Sequence, residues 1–190
     1  MREEKPILRD YQERCVEAAM KYLSDPKDTK PGLIVAPTAA GKSLIIAAIA
    51  ERFDDPLLVL QPSVELLEQN HSKLCSYGYI AEIYSASAKQ KTFGHITFAT
   101  LGSIRSMAQI FKDLGVKTVL IDAAHDSYPP EKGSSFRSFM AELNPTKVIG
   151  LTATPYYLRS SMNGAELKLM TRVKEAYFKK FLDIIQIPEL

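Results

Sequence analysis

The sequence predicts an α/β fold in which a mainly parallel central sheet carries helices on both faces. Short, apolar, β-rich runs alternate along the chain with longer runs of helical periodicity, which is typical of such three-layer folds. One strand-to-helix junction also carries a Gly-Lys-Ser tripeptide, and this junction is where a phosphate-binding loop occurs in a parallel sheet. The length of 190 residues suits one compact domain.

The predicted elements follow in order from hydrophobic period and turn residues. Strands are expected where continuous apolar runs occur, at 32–35, 56–60, 80–84, 96–99, 118–121 and 148–151. Helices are expected at 9–23, 42–53, 63–77, 100–114 and 134–143. Ser63 is predicted to be a simple N-cap, because Leu66 stands where a capping box needs an acid or amide. Pro129, Pro130 and Gly133 predict a surface loop.

The tail after Pro155 is predicted to be helical. Helical periodicity runs through 165–182, with interspersed basic residues. These basic residues are Lys168, Arg172, Lys174, Lys179 and Lys180. Two interpretations stay open: a helix packed back on the domain with a solvated basic face, or a linker that leads into another domain. We therefore divide the chain into a nucleotide-binding domain at 1–155 and a C-terminal helical extension or linker at 156–190.

The composition gives no bulk signature of a polyanion partner. Lys plus Arg, at 24, nearly balances Asp plus Glu, at 22, so nucleic-acid binding has to be argued from local sites. The two cysteines lack metal-ligand spacing, and Cys15 falls within an apolar helical pattern, which favours a buried thiol in a reducing compartment. The N terminus is too polar for a signal peptide, and no apolar run approaches the ~20 residues of a membrane span. A cytoplasmic protein without membrane contact is expected.

The strongest chemical signal is the segment from Ala36 to Ser43, Ala-Pro-Thr-Ala-Ala-Gly-Lys-Ser. It follows a predicted strand and opens a predicted helix, the context that a phosphate-binding loop requires. Backbone N–H groups of the loop and the helix dipole favour phosphate oxygens. Lys42 can reach the β- and γ-phosphates, and the Ser43 hydroxyl can ligate Mg²⁺. The residues predicted to contact ATP here are Pro37, Thr38, Ala39, Ala40, Gly41, Lys42 and Ser43.

A second constellation is the segment Val-Leu-Ile-Asp-Ala-Ala-His at 119–125. Asp122 stands at the carboxyl end of a predicted buried strand, where ligands bind in open α/β sheets. A lone aspartate at a strand end often only caps the strand. Because the phosphate loop is predicted to lie at the same edge, Asp122 is interpreted as a Mg²⁺ ligand opposite Ser43, generally through water.

These two motifs and the segment Gly-Leu-Thr-Ala-Thr-Pro at 150–155 resemble those of superfamily 2 helicases and translocases of the DEAD/DEAH-box type. Their order and spacing agree with that family. Three further segments are similar to motifs of that family. Residues 8–12 resemble its glutamine motif, residues 60–62 with Leu66 and Gln69 resemble motif Ia, and residues 100–103 resemble motif Ib. The resemblance covers roughly 8–155 and is nearest to bacterial and phage helicases related to restriction-enzyme motors. It implies a RecA-like fold of the P-loop NTPase class.

The resemblance also implies roles for the matching residues. Gln12, together with Arg9, would recognise adenine, and Lys42, Ser43 and Asp122 would hold the phosphates and Mg²⁺. The implied catalytic and coupling residues are Asp122, His125, Thr152 and Thr154. The residues implied to face a nucleic-acid backbone are Pro62, Ser63, Thr100 and Arg105. At the family level, DNA is favoured over RNA as the partner.

Two departures from the family pattern reduce the expected activity. The family carries a water-activating Glu after the Asp, whereas Ala123 stands here. A missing general base typically removes about 10²- to 10⁴-fold of rate, so ATP binding with weak hydrolysis is expected. Helicases of this class also close ATP against a second RecA-like domain, whose arginine finger contributes about 10³- to 10⁵-fold in related hydrolases. That domain is expected to begin near Leu190.

Three function classes stay open at this point. The preferred one is the ATP-binding motor domain of an ATP-dependent helicase or translocase. The second is a non-hydrolysing, nucleotide-gated module that binds nucleic acid or a protein, which Ala123 favours. The third is a small-molecule kinase, in which Gln12 and the Thr-Ala-Thr-Pro segment would have no role.

Overall fold

The computed structural model describes residues 6–125, 134–161, 164–173 and 176–189. The helices are α1 Asp10–Ser24, α2 Lys42–Arg52, α3 Val64–Ser76, α4 Leu101–Ile104, α5 Ala108–Asp113, α6 Ser135–Leu143 and a 3₁₀ helix at Ile187–Glu189. The strands are β1 Gly32–Val35, β2 Leu57–Gln61, β3 Glu82–Ser85, β4 Gln90–Lys91, β5 Ile96–Thr100, β6 Thr118–Ile121, β7 Lys147–Thr152, β8 Tyr156–Ser161, β9 Gly164–Leu169 and β10 Lys180–Ile184. Within the described ranges, no helix has the length and apolarity that a bilayer crossing requires. The loop predicted at Pro129, Pro130 and Gly133 lies outside the described residues.

One mostly parallel sheet dominates the described part of the chain and confirms the predicted fold class. Its eight strands run in the order β10-β1-β7-β6-β2-β5-β3-β4. The short β4 pairs antiparallel with β3, and the other neighbouring strands pair in parallel. The strands β1, β2, β6 and β7 are buried along their whole length, because helices cover both faces. Strands buried on two faces are expected to be continuously apolar.

Two apolar clusters, one on each face of the sheet, hold the layers together. Neighbouring residues along a strand belong to opposite clusters. Ile34 belongs to the cluster that includes residues of α1, α2 and α3, whereas Leu33 belongs to the cluster that includes residues of α4, α5 and α6. The same alternation separates Val59 from Leu58 in β2. Side chains of a strand point alternately to its two faces, so each strand contributes to both cores. The resulting arrangement is the predicted three-layer fold.

The helix predicted within 165–182 is wrong for the residues that the structure describes there. β8 and β9 form an antiparallel hairpin, and β10 joins the main sheet parallel to β1. In β10, Phe181 packs against the α4–α6 side and Leu182 against the α1–α3 side, which is the two-residue period of a strand. Apolar residues three and four apart also suit a helix. A strand is formed here because pairing with the edge of β1 gives hydrogen-bond partners to the backbone groups of β1. The described residues of this segment therefore form strands rather than the predicted helix, and β10 belongs to the main sheet.

The predicted helix at 100–114 is also interrupted. The structure contains two short helices there, α4 and α5, separated at 105–107. Ile104 and Phe111 are fully buried in the same cluster, so the break allows both short helices to direct apolar side chains at the sheet.

A buried lysine closes the C-terminal end of α1. Lys147, at the start of β7 and 7% exposed, donates from Nζ to the carbonyl oxygens of Tyr22 at 2.7 Å and of Asp25 and Asp28 at 2.5 Å each. Its Nζ also lies 4.6 Å from the centroid of the Tyr22 ring. The last carbonyls of a helix lack intrahelical partners, and an ammonium has three protons to donate. Burial lowers the pKa of Lys147, against the opposing charges of Asp28 and Asp25.

Candidate nucleotide site

The predicted phosphate loop connects β1 to α2 at the carboxyl edge of the sheet. Its first residue is anchored, because the Ala36 N–H donates to the Thr152 carbonyl of β7 at 2.8 Å. Gly41 forms the N-cap of α2 with φ 75° and ψ 46°, a left-handed conformation that glycine adopts without steric cost. A Cβ at Gly41 would also lie 2.6 Å from Gln12 Nε2. One glycine is thus sufficient for this turn, although the rest of the loop is glycine-poor.

Lys42, the first residue of α2, lies across the inside of this loop. Its Nζ is 3.2 Å from the Ala36 carbonyl oxygen and 3.4 Å from that of Pro37. Burial lowers the pKa of Lys42, and the negative charge of Asp122 partly opposes this shift. The ammonium is therefore held near the loop, at a place where it can contact an anion bound there.

A cavity of about 240 Å³ lies between the phosphate loop, α3 and the end of β6. Its lining residues are Thr38, Gly41, Lys42, Ser43, Leu66, Gln69, Asn70, Asp122 and Ala123. Five of the residues predicted to bind ATP or Mg²⁺ are therefore brought together here. Of the other loop residues, Ala40 is fully buried behind the loop, Pro37 is half-buried and Ala39 is exposed.

Asp122 immediately follows β6 and is 6% exposed. Its Oδ1 accepts a hydrogen bond from the Ala123 N–H at 2.8 Å, and its Oδ2 accepts one from Asn70 Nδ2 at 3.0 Å. Burial raises the pKa of Asp122, and the Ala123 N–H and the charge of Lys42 oppose this effect. Ala123 itself has φ 47°, and a left-handed conformation costs an L-residue about 1–2 kcal/mol. The backbone thus turns sharply beside the carboxylate.

Asn70 also lines this cavity and was not among the predicted site residues. Its Oδ1 accepts a hydrogen bond from the Ser43 hydroxyl at 2.5 Å, and its Nδ2 donates to Gln61 Oε1 at 3.1 Å as well as to Asp122. A signal was present in the sequence: Asn70 lies three residues after Leu67, four before Leu74, and all three are buried. A polar residue within the apolar stripe of a helix requires a partner.

The predicted coupling residues also meet at this edge. Thr152 Oγ1 lies 2.8 Å from His125 Nδ1. It accepts a hydrogen bond from the Thr154 N–H at 3.1 Å and lies 3.1 Å from the Thr154 carbonyl oxygen. Thr152 is fully buried, whereas the Thr154 hydroxyl is buried without a hydrogen-bond partner in the described part of the chain. The ends of β6 and β7 are thus joined through a histidine–threonine contact.

Gln12 lies behind the phosphate loop rather than in the cavity. Its Nε2 donates to the Ala40 carbonyl oxygen at 2.9 Å, and its Oε1 accepts from the Arg9 N–H at 2.9 Å. The guanidinium of Arg9 donates to the Tyr11 hydroxyl at 2.9 Å. The side chain of Gln12 is 5% exposed, so it connects the start of α1 to the loop. Adenine recognition by Gln12 and Arg9 stays a prediction.

The residues predicted to face nucleic acid lie at the same edge, beyond β6. Gln61 at the end of β2 is the register partner of Thr100 at the end of β5, so Pro62 directly follows a strand end that is paired with Thr100. The Ser63 hydroxyl accepts from the Leu66 N–H at 3.3 Å, which confirms the predicted simple N-cap. Arg105 follows α4 and is exposed. In strand order, β7 and β6 separate these ends from the phosphate loop.

Comparisons with known proteins agree with this geometry. The family described as "Type III restriction enzyme, res subunit" matches residues 5–157. The DNA 3'-5' translocase XPB2 of Sulfurisphaera tokodaii is 31% identical over 150 residues, which are 78% of this chain and 31% of that protein. This chain therefore spans about a third of the length of that relative.

Solved structures with the same fold include three proteins that are less than 25% identical to this chain. The UvsW helicase from bacteriophage T4 has a TM-score of 0.64 at 19% identity, over 94% of this chain and 60% of that one. A nuclease-deletion mutant of the Type ISP restriction-modification enzyme LlaGI, in complex with a DNA substrate mimic, has a TM-score of 0.69 at 18% identity. The match covers 96% of this chain and 20% of that one. The Sulfolobus solfataricus SWI2/SNF2 ATPase core, in complex with double-stranded DNA, has a TM-score of 0.59 at 17% identity. The match covers 80% of this chain and 33% of that one.

Proposed function

This chain belongs to the family described as type III restriction enzyme, res subunit, within superfamily 2 helicases, and on that premise we propose that it is the ATP-binding motor domain of a DNA helicase or translocase. DNA is proposed as the nucleic acid because XPB2 is described as a DNA translocase and two of the similar structures are complexes with DNA or a DNA mimic. A second RecA-like domain is proposed to close over the nucleotide, since the chain spans only part of each of these proteins.

The observation that carries this proposal is the convergence of Lys42, Ser43 and Asp122 on one cavity. A hydroxyl and a carboxylate are oxygen ligands of the kind that Mg²⁺ prefers, so the two side chains fit the proposed metal. Mg²⁺ would neutralise phosphate charge, as it does in other P-loop hydrolases. Lys42 supplies a positive charge beside the loop, and the N-terminal end of α2 favours an anion there.

Coupling between the nucleotide and the nucleic acid is proposed to pass through His125, Thr152 and Thr154. The contact of His125 with Thr152 joins the end of β6 to that of β7. β7 is in turn bonded to the start of the phosphate loop through the Ala36 N–H. A shift of the loop on nucleotide binding would therefore act directly on these strand ends.

Weak hydrolysis is part of the proposal. Among the described residues that line the cavity, Asp122 is the one carboxylate, and it is assigned to Mg²⁺. The methyl group of Ala123 cannot accept a proton from water. The alternative function, a non-hydrolysing and nucleotide-gated module that binds nucleic acid or protein, rests on this same observation.

Replacing Lys42 by alanine tests the nucleotide site. Hydrogen bonds to a charged group contribute about 1.5–3 kcal/mol, so Lys42→Ala is expected to weaken ATP binding about 10- to 100-fold. Isothermal titration calorimetry with ATP and Mg²⁺ measures this affinity. Lys27→Ala is the control, because Lys27 is exposed and precedes β1 at the opposite edge of the sheet. Equal affinity of the two variants would contradict the proposed site.

Replacing Arg105 by alanine tests the nucleic-acid side. If Arg105 contacts one phosphate, its loss should reduce the slope of log K against log salt concentration by about 0.7 for single-stranded DNA and about 0.9 for duplex. Fluorescence anisotropy with a labelled oligonucleotide at several salt concentrations gives the slope. Lys112→Ala is the matched control, since Lys112 is exposed near the end of α5, which leads towards the opposite edge. An unchanged slope in Arg105→Ala would remove this residue from the interface.

A further inference from the structure

The carboxamide of Asn70 joins three segments that are far apart in the sequence. Asn70 lies in the middle of α3 and is 6% exposed. Its oxygen accepts from Ser43 in the first turn of α2, and its nitrogen donates to Asp122 after β6 and to Gln61 at the end of β2. The carboxamide therefore lies between the two proposed Mg²⁺ ligands and the strand that leads to Pro62.

The directions of these hydrogen bonds decide what the two ligands present to the cavity. Ser43 has one hydroxyl proton, and it donates this proton to Asn70 Oδ1 at 2.5 Å. Its oxygen lone pairs are consequently directed away from Asn70 and remain available to a cation. The Asp122 carboxylate is held from both sides, by Asn70 Nδ2 at 3.0 Å and by the Ala123 N–H at 2.8 Å. Partners of this kind orient metal ligands and keep them in place.

Gln61 extends the network towards the nucleic-acid side. It is 1% exposed, and its Nε2 is buried without a hydrogen-bond partner in the described part of the chain. Its Oε1 accepts from Asn70 Nδ2 at 3.1 Å. Buried polar groups are rarely left unpaired. In the described part of the chain, the hydrogen bond from Asn70 is the one that pairs the carboxamide oxygen of Gln61. Pro62 and Ser63 follow Gln61 directly.

We propose that Asn70 is a positioning residue of the Mg²⁺–nucleotide site, which fixes the Ser43 hydroxyl and the Asp122 carboxylate as a pair and links them through Gln61 to the segment that begins at Pro62. The inference rests on the proposed function, because it takes Ser43 and Asp122 to face Mg²⁺. Asn70 acts through these two side chains and is not assigned a contact with the nucleotide.

The test compares ATP affinity with Mg²⁺ and with EDTA, using a fluorescent ATP analogue. Wild-type protein should bind more tightly with Mg²⁺. Leucine has a similar size to asparagine but no amide. In Asn70→Leu the ratio of the ATP affinity with Mg²⁺ to that with EDTA should be about 10- to 100-fold smaller than in the wild type, while the affinity in EDTA itself is unchanged. Glu68→Leu is the control, because Glu68 is exposed on the same helix and does not line the cavity. If Asn70→Leu does not fold, Asn70→Ala removes the same bonds and leaves space for water.

A double-mutant cycle with Ser43→Ala distinguishes positioning from a general effect on structure. If Asn70 acts through Ser43, the Asn70 substitution should change the Mg²⁺-dependent gain much less in the Ser43→Ala background. Equal losses in both backgrounds, or a full gain in the Asn70 variant, would overturn the inference while leaving the proposed function intact. Wild-type protein that binds no ATP would instead overturn the proposed function and this inference with it.

Discussion

Replacing Ala123 by glutamate is expected to raise the rate of ATP hydrolysis by about 10²- to 10⁴-fold. Ala123 lines the same cavity as Lys42, Ser43 and Asp122. The side chain of a glutamate at position 123 would therefore begin at the wall of the cavity that is proposed to hold the phosphates. By the resemblance of 119–125 to the DEAD/DEAH-box motif, position 123 is where a water-activating acid is expected. The measurement is phosphate release at saturating ATP and Mg²⁺ with single-stranded DNA, made on a chain that includes the proposed second RecA-like domain.

The matched control for this prediction is Ala123→Gln. Glutamine has nearly the same shape as glutamate but cannot act as a general base. The left-handed backbone at this position, with φ 47°, places the same conformational strain on alanine, glutamine and glutamate. The two variants should therefore have similar thermal stabilities, and glutamine should hydrolyse ATP no faster than alanine. A glutamate variant that is no faster than the glutamine variant would favour the non-hydrolysing module.

Replacing Lys147 by methionine is expected to destabilise the fold by about 2–4 kcal/mol. The substitution keeps the length of the side chain but leaves three carbonyl oxygens, those of Tyr22, Asp25 and Asp28, without the ammonium. Tyr22 is buried, so its carbonyl is the least able to bind water instead, whereas Asp25 is exposed and Asp28 half-buried. The contact with the Tyr22 ring is lost as well.

Thermal unfolding followed by circular dichroism measures the effect of Lys147→Met. For a chain of this length each 1 kcal/mol lowers Tm by roughly 2–4 °C. Lys117→Met is the control, because Lys117 precedes the neighbouring strand β6 in a comparable position but has an exposed side chain. Equal melting temperatures for the two variants would show that the ammonium is dispensable.

The central strands were predictable because burial on both faces leaves little ambiguity in the sequence. The ranges Gly32–Val35 and Thr118–Ile121 match the predicted strands residue for residue, since each is a short apolar run followed at once by the loop that carries the site. The tail was not predictable in the same way. In β10, charged and apolar residues are mixed, and only the free edge of β1 determines that this segment pairs as a strand.

The site likewise has residues that were predictable from their sequence neighbours and residues that depend on contacts between distant segments. Gly41, Lys42 and Ser43 are adjacent in sequence, and their position between a strand and a helix already specifies their geometry. Asn70 and Lys147 are different, because their partners are determined by how α3 and β7 pack against other elements. A buried polar residue in the sequence predicts that a partner exists, but its identity depends on the register of the whole sheet.

The position of β10 has a consequence for folding during synthesis. β1 is paired on one side by β7 and on the other by β10, and both partners come much later in the chain. At about 5–20 residues per second, β10 would leave the ribosome about 7–30 s after β1, given a separation of about 150 residues. During that interval the apolar segment Gly32–Val35 has an unpaired edge, which is prone to intermolecular pairing. Aggregation of nascent chains is therefore expected to start at β1.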